Sequence, residues 1–495
     1  MYKTYACITY HIQRTTNMAA KEFIVAIELG SSKITGIAGK KNVDGSIQVL
    51  AVAREDATPC IRKGVVYNID KTSACLINII SKLKTILKSE IAQVYVGVGG
   101  QSLRCIPNNS VKTLPEDTII TQEMINELMD TNRSTRYTDL EILEAATQEY
   151  KVGTLYQVDP VGIQSDNIEG NFLNIVCRKA FYRNLVKCFE KAKISIAEMY
   201  LAPVALAQSI LTEAEMRSGC LLVDLGADTT TVSVYFKNIL RHLAVIPLGG
   251  NNITKDITTL MMEDDEAEAM KIKHGKAFIE ATDIDTDETL PIDAERSVSA
   301  KAFNELVESR VDEIIQNVWF GQVPPKYYDK LMGGIILTGG GSKMKEIKKA
   351  FTEITGIQRV RIAGMVDQKV TSTDKEINAH DGTMNTALAL LAKGDMNCAG
   401  STIKPIPTLF ETEAPPVTTT PNTQKRRITK PGGANLVEYP DKNPSSNKER
   451  APQKKVTHQK SDTPHKGGWF SRGYGILQDF YTKIISAENE DDNND

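Results

Sequence analysis

One pattern occurs twice in this chain, far apart, and it limits the folds open to the sequence. Phe23-Ile24-Val25-Ala26-Ile27-Glu28-Leu29-Gly30-Ser31-Ser32 and Gly219-Cys220-Leu221-Leu222-Val223-Asp224-Leu225-Gly226-Ala227-Asp228 each carry an apolar run into acid-Leu-Gly and then polar residues. A second β-rich run follows in both, Ile34-Thr35-Gly36-Ile37-Ala38 and Thr230-Thr231-Val232-Ser233-Val234-Tyr235. Short apolar runs closed by a turn read as buried strands. Their repetition predicts two related domains, each opening with a hairpin, that face each other across a cleft. At each turn the glycine permits a tight reversal, and the N–H groups after it point at whatever occupies the cleft. Two such turns closing on one triphosphate would neutralise it largely with backbone dipoles. Glu28 and Asp224 sit where carboxylates can hold a hydrated Mg2+, an ion that keeps several waters and needs few protein ligands. Either turn alone is common among α/β proteins.

Two more elements join them. Gly333-Gly334-Ile335-Ile336-Leu337-Thr338-Gly339-Gly340-Gly341-Ser342 reads as a buried strand ending in three glycines, with a helix predicted to begin near Lys343. Glycines there let the chain run close under a flat ligand and bring a helix N-terminus nearby, although an ordinary strand-to-helix turn has the same outline. Glu268 and Lys271 stand three residues apart on one predicted helix face, within reach of ribose hydroxyls or of each other as a solvated ion pair.

In order, these elements resemble the phosphate-1, phosphate-2, ribose and adenosine motifs of the actin, sugar-kinase and heat-shock-chaperone superfamily. Within it, the resemblance is to the FtsA family of bacterial cell-division proteins. It is carried further by Arg241 to Thr254, by Lys271 to Gly275, by Ile335 to Ser342 and by Ala202-Pro203-Val204-Ala205. It covers residues 21–395 and the final helix.

The resemblance implies an actin-like, two-domain α/β fold that binds ATP with Mg2+. Gly30, Ser31, Ser32 and Lys33 would contact phosphates from one side, and Gly226, Ala227, Asp228 and Thr229 from the other. Glu268 and Lys271 would hold the ribose; Gly339, Gly340, Gly341 and Ser342 would support the adenosine. Glu28 stands where the family more often has Asp, and Ala227-Asp228 where it more often has Gly-Gly. A longer acid and an added negative charge both argue against fast hydrolysis, and no residue stands out as a general base. ATP binding with at most slow hydrolysis is the expectation. The implied partners are copies of the chain itself, FtsZ, later division proteins and the inner-membrane surface.

The predicted organisation runs as follows. Residues 1–20 form an N-terminal extension, with Met18 a candidate start. Residues 21–96 and 179–218 make the first domain. Residues 97–178 form a small α/β insert, where Thr121 is a plausible N-cap and Tyr156 to Asp166 and Asn171 to Arg178 read as strands. The resemblance makes it the FtsA-type subdomain used in self-assembly and recruitment. Residues 219–378 form the second domain; the resemblance puts the FtsZ contact on its subdomain holding Ala300 to Trp319. Residues 379–397 return to the first domain.

Residues 398–466 are rich in Pro, Thr, Asn, Lys and Gln, with basic pairs and triplets such as Lys425-Arg426-Arg427. Such a segment buries too little to offset its ordering entropy, so it reads as a flexible linker spanning on the order of 45 Å as a coil.

Residues 467–486 are periodic again. Phe470, Tyr474, Leu477, Tyr481 and Ile484 share one helical face, widened by Trp469, Ile476, Phe480 and Ile485. A helix docked on a core and a membrane-surface helix both have this pattern. The preceding linker favours the membrane, with Trp469 and the tyrosines at headgroup level. Residues 487–495 form an acidic tail that would oppose binding to anionic lipid.

Charge and cysteine content exclude other classes. A formal net charge of −3 gives no electrostatic reason to expect nucleic acid. The eight cysteines make no CxxC and do not cluster with the histidines, which argues against a zinc site and for core thiols in a reducing compartment. No apolar run is long enough to span a bilayer. Within the superfamily, a soluble kinase and a pilus-assembly adaptor are the alternatives, and neither needs the terminal amphipathic helix.

Overall fold

The computed structural model describes residues 22–280 and 288–400. The N-terminal extension, most of the linker, the amphipathic helix with its membrane-facing residues and the acidic tail therefore lie outside the described residues.

Both apolar repeats form the expected hairpins. Ile24–Leu29 pairs antiparallel with Lys33–Lys41, and Cys220–Leu225 with Thr230–Phe236. Each hairpin continues antiparallel into a third strand, Ile47–Asp56 in the first domain and Ile239–Ile246 in the second. On the other flank of each first strand lie two parallel strands: Val94–Val98 then Ile196–Leu201, and Gly334–Thr338 then Val360–Ile362. In order of appearance within its own domain, each sheet thus reads 3-2-1-4-5. The short strand Val370–Thr371 adds to the outer edge of the first sheet, parallel to Ile47–Asp56. Two copies of one topology are the physical content of the sequence repeat, and the fold is actin-like.

The central strands are covered on both faces, which is why they read as unbroken apolar runs. In the first domain, helix Ile69–Leu87 buries Leu76, Ile79, Ile80 and Leu83 against one face; Asn68 caps it, its side chain accepting from Lys71 N. Helix Asn385–Lys393 covers the other face with Leu388 and Leu390, returning the chain from the second domain. In the second domain, helix Ala300–Gln316 buries Phe303, Val307 and Ile314 in that domain's own core, packed beside helices Gly250–Thr258 and Ile347–Thr355. At the start of the span read as linker, Cys398 N donates to Phe23 O and Gly400 N to Glu90 O, so the chain is still bound to the first domain there. The seven described cysteines are free, and five are buried.

The insert is three long antiparallel strands and a helix. Strands Arg104–Ile119, Gln164–Arg178 and Leu140–Val152 pair in that order, with Leu155–Gln157 at the far edge. Helix Gln122–Arg133, capped by Thr121, packs Ile125 and Leu128 onto a small separate core with Leu114, Ile168 and Phe172. The strand read over Tyr156 to Asp166 is broken by a turn at Asp159 to Gly162, and the pairing strand starts at Gln164.

The insert is also tied to the second domain. Ala244 pairs with Arg104, joining the two into one nine-stranded sheet. Beside that junction Arg241 Nη1 lies 3.0 Å from Glu149 Oε1, and the Arg241 side chain is only 7% exposed. Removing one member of a buried pair strands the other charge. Arg241→Ala is therefore expected to destabilise the chain by about 2 kcal/mol, a value discounted because Glu149 is partly solvated. Hydrogen exchange should show faster opening of Leu140–Val152. Unchanged exchange there would show that the junction carries no load.

Candidate functional site

Between the two hairpin turns lies a cleft of about 460 Å³, a size typical of sites for ligands such as nucleotides. The two turns are built alike. Gly30 N donates to Lys33 O at 3.1 Å and Gly226 N to Thr229 O at 2.9 Å. A Cβ on Gly30 or on Gly226 would come within 2.8 Å of the same acceptor, so each turn is closed in a way only glycine allows. A second layer braces the second turn: Gly250 N donates to Gly226 O and Asn251 N to Ala227 O. With those carbonyls occupied from behind, the turn is fixed in orientation toward the cleft.

Of the residues expected in the site, Glu28, Gly30, Ser31, Ser32, Lys33, Asp224, Gly226, Ala227, Thr229, Glu268, Lys271, Gly339, Gly340 and Gly341 line this one cleft. Asp228 and Ser342 do not. The Asp228 carboxylate accepts from Asn251 Nδ2 at 2.7 Å and from Lys63 N at 3.1 Å, tying the second turn to the loop after Cys60. Ser342 is buried, and its hydroxyl donates to Gly339 O at 2.7 Å within the turn. The helix expected near Lys343 starts at Ile347; Gly340–Lys343 forms a 3-10 turn, and Glu346 adopts a left-handed conformation just before the helix.

The carboxylates of Glu28 and Asp224 hold matching places at the ends of two sister strands. Burial and the neighbouring Asp224 push the Glu28 carboxyl up to about 8, although Lys33 pulls it the other way. Burial pushes Asp224 up to about 6. Two acids that resist ionisation side by side are a place for a cation. No cluster of three or more His, Cys, Asp or Glu among the described residues could hold a metal directly. A hydrated Mg2+, which needs few protein ligands, fits this donor set.

Glu268 and Lys271 form a partly buried ion pair at the cleft, not a loose surface one. Lys271 Nζ, 11% exposed, lies 2.6 Å from Glu268 Oε2 and donates to Thr254 Oγ1 at 2.8 Å and to Gly250 O at 3.1 Å. It pins the brace of the second turn, while the Glu268 side chain is 43% exposed to the cleft. Opposite, Gly339 has φ of +80°, and a Cβ there would collide with Asp224 Oδ1 and Leu225 O. Met344 faces the cleft there, backed by the buried Ile314, Ile315 and Phe351, an apolar side suited to a flat ring.

Reasoning from motifs passed over Gly249, Gly250, Asn251, Gly382, Thr383 and Thr386, which also line the cleft. A usable signal existed: Pro247-Leu248-Gly249-Gly250 and Asp381-Gly382-Thr383 are both glycine turns opening helices.

Comparison with known proteins agrees with this architecture. The family model described as "Cell division protein FtsA" matches residues 221–389, and that described as "SHS2 domain inserted in FTSA" matches residues 100–176. The "Cell division protein FtsA" of Porphyromonas gingivalis is 31% identical over 336 residues, covering 67% of this chain and 70% of that protein. Its namesake in Pseudomonas aeruginosa is 27% identical over 341 residues, covering 67% and 81%. Among solved structures, one titled "PilM-PilN type IV pilus biogenesis complex" aligns with a TM-score of 0.53 at 13% identity, covering 74% of this chain and 97% of that one. That last similarity concerns the fold alone.

Proposed function

The chain belongs to the FtsA family of cell division proteins, and from that premise we propose that it is an ATP-binding adaptor that assembles with copies of itself and ties FtsZ to the cytoplasmic face of the membrane at the division septum. Recruitment of later division proteins would follow from the same assembly. The observation that carries ATP binding is the pair of sister turns, Gly30–Lys33 and Gly226–Thr229, aimed into one cleft with two reluctant carboxylates behind them.

In this reading the residues after Gly30 and Gly226, whose own N–H groups close the two turns, cradle the phosphates: Ser31 and Ser32 from one side, Ala227 and Thr229 from the other, with Lys33 adding a charge. Mg2+, when bound, would sit by Glu28 and Asp224 through water and neutralise phosphate charge. Glu268 faces the ribose, and Gly339 to Gly341 leave room for the base against the apolar side. The sites supply binding and orientation, and none supplies a base to activate water, which supports slow hydrolysis at most.

Membrane attachment rests on the sequence of residues 467–486. No helix among the described residues is long and apolar enough to cross a membrane. The amphipathic face of Trp469, Phe470, Tyr474, Leu477, Phe480, Tyr481, Ile484 and Ile485 would give a reversible anchor. Many such anchors on one polymer bind far more tightly than one.

The test is flotation with lipid vesicles, comparing the full chain with one stopped after Lys466, each with ATP and purified FtsZ. The full chain alone is expected to carry FtsZ upward. If both chains stay below with FtsZ, the adaptor reading fails and a soluble actin-like ATPase takes its place.

A further inference from the structure

Lys33 lines the cleft, yet its ammonium is already engaged. Its Nζ lies 2.9 Å from Glu376 Oε2, with both side chains 42% exposed. Glu376 belongs to the short helix Lys375–Asn378, which sits between the cap residue Asp374 and the cleft-lining Gly382 and Thr383. The same Oε2 lies 3.3 Å from Arg54 Nε. Arg54 is held in place by a two-pronged contact with Asp374, Nη1 to Oδ2 at 3.0 Å and Nη2 to Oδ1 at 2.8 Å. Its Nε–H is buried and donates to nothing, because Glu376 stands too far off its line to accept. A buried donor left without an acceptor is costly, and here the nearest carboxylate is turned toward Lys33 instead.

We propose that Glu376 is a positioning residue of the nucleotide site, holding the Lys33 ammonium at the rim of the cleft and releasing it to an arriving phosphate as its own carboxylate turns onto the free Nε–H of Arg54. The inference rests on the reading of the cleft as an ATP site. No net charge is created or lost in the exchange. Lys33 trades a carboxylate for a phosphate oxygen, and Glu376 trades an ammonium for a guanidinium that already faces it. Arg54 suits this role because its fork stays anchored on Asp374 while its Nε–H donates to a new partner. Glu376 thereby sets how much of the Lys33 charge is available to phosphate and ties the helix Lys375–Asn378 to occupancy of the first turn.

The pair is half solvated, so its effect on affinity is that of a surface ion pair, a change of about two- to fivefold. The measurement is the affinity of the full chain for ATP with Mg2+, alongside thermal stability. Glu376→Gln is expected to tighten ATP about threefold, and raised salt should shrink the gain. Lys33→Met is expected to weaken ATP, and adding Glu376→Gln to Lys33→Met should then change nothing, because the competitor has no lysine left to hold.

Glu376→Asp, whose shorter side chain withdraws from Lys33, should reproduce the tightening if the Gln variant folds poorly. A purely structural role would lower stability without this dependence on Lys33. Unchanged or weaker ATP binding in a stable Glu376→Gln chain would overturn the proposal while leaving the ATP site standing, as would equal tightening with and without Lys33. Failure of the unaltered chain to bind ATP would remove both.

Discussion

Replacing Glu28 with Gln is expected to raise the thermal midpoint of the metal-free chain at pH 8 while cutting its Mg2+-dependent affinity for ATP by about a hundredfold. Both effects have one cause. In the folded chain the Glu28 carboxyl keeps its proton up to about 8, against an ordinary value of 4.5. The unfolded chain loses that proton above 4.5, so the contribution of Glu28 to stability is full below that pH and fades as pH rises toward 8. The amide of the Glu28→Gln chain has no proton to lose. The stability gap should therefore be small at pH 5 and grow to about 2 kcal/mol at pH 8, a figure kept well below the full linkage value because water enters the cleft. Thermal scans in chelator at both pH values read it, and an equal gap at pH 5 and pH 8 would contradict the account. The loss of affinity follows because Mg2+ would keep only Asp224, and weakening one support of a metal costs about ten- to a hundredfold.

Gly339→Ala is expected to lower stability by about 3 kcal/mol and to remove measurable ATP binding. At φ of +80° the new side chain is strained, which alone costs roughly 1–2 kcal/mol. Its Cβ would also run into Asp224 Oδ1 and the Leu225 carbonyl, forcing aside the carboxylate and the turn that follows it. A displacement of about 1 Å in a positioning group can cost about a hundredfold in function. Gly340→Ala is the control, since its nearest neighbour would be Thr383 Cγ2 at an ordinary 3.6 Å. If both substitutions cost the same, the special place of Gly339 is wrong.

The parts legible in the sequence were those in which local chemistry and global role coincide. A strand buried on both faces has to be apolar throughout, a closed turn has to carry glycine, and the duplication wrote both twice. Gly30 and Gly226 could be found for that reason. Residues whose role depends on distant partners could not. Nothing near Asp228 in sequence says that its carboxylate will meet Lys63 N, and Ser342 looks like its exposed neighbours although it is buried. Glu376 reaches Lys33 from 343 residues away in sequence, with the second domain's strands lying between them.

The insert was hard to read for a different reason. Arg104–Ile119 carries Pro107, Asn108, Asn109 and Pro115, residues that ordinarily mark loops, and only a few of its side chains are buried. Its pairing with Gln164–Arg178 comes from a long ladder and a small core, which propensity does not reveal.

The two sheets share one strand order, so an object made of those halves alone would present much the same outline from either end. The insert occurs in only one half, between its fourth and fifth strands, and is joined to the other half through Ala244 and Arg104. The other half carries additions of its own between its third and fourth strands, helices Gly250–Thr258 and Asp264–His274 and the hairpin of Thr289–Pro291 with Ser297–Ser299. These unlike additions remove the near-equivalence and give the molecule a front and a back. Copies stacked head to tail would therefore form a line with a direction, one that another protein could tell from its reverse.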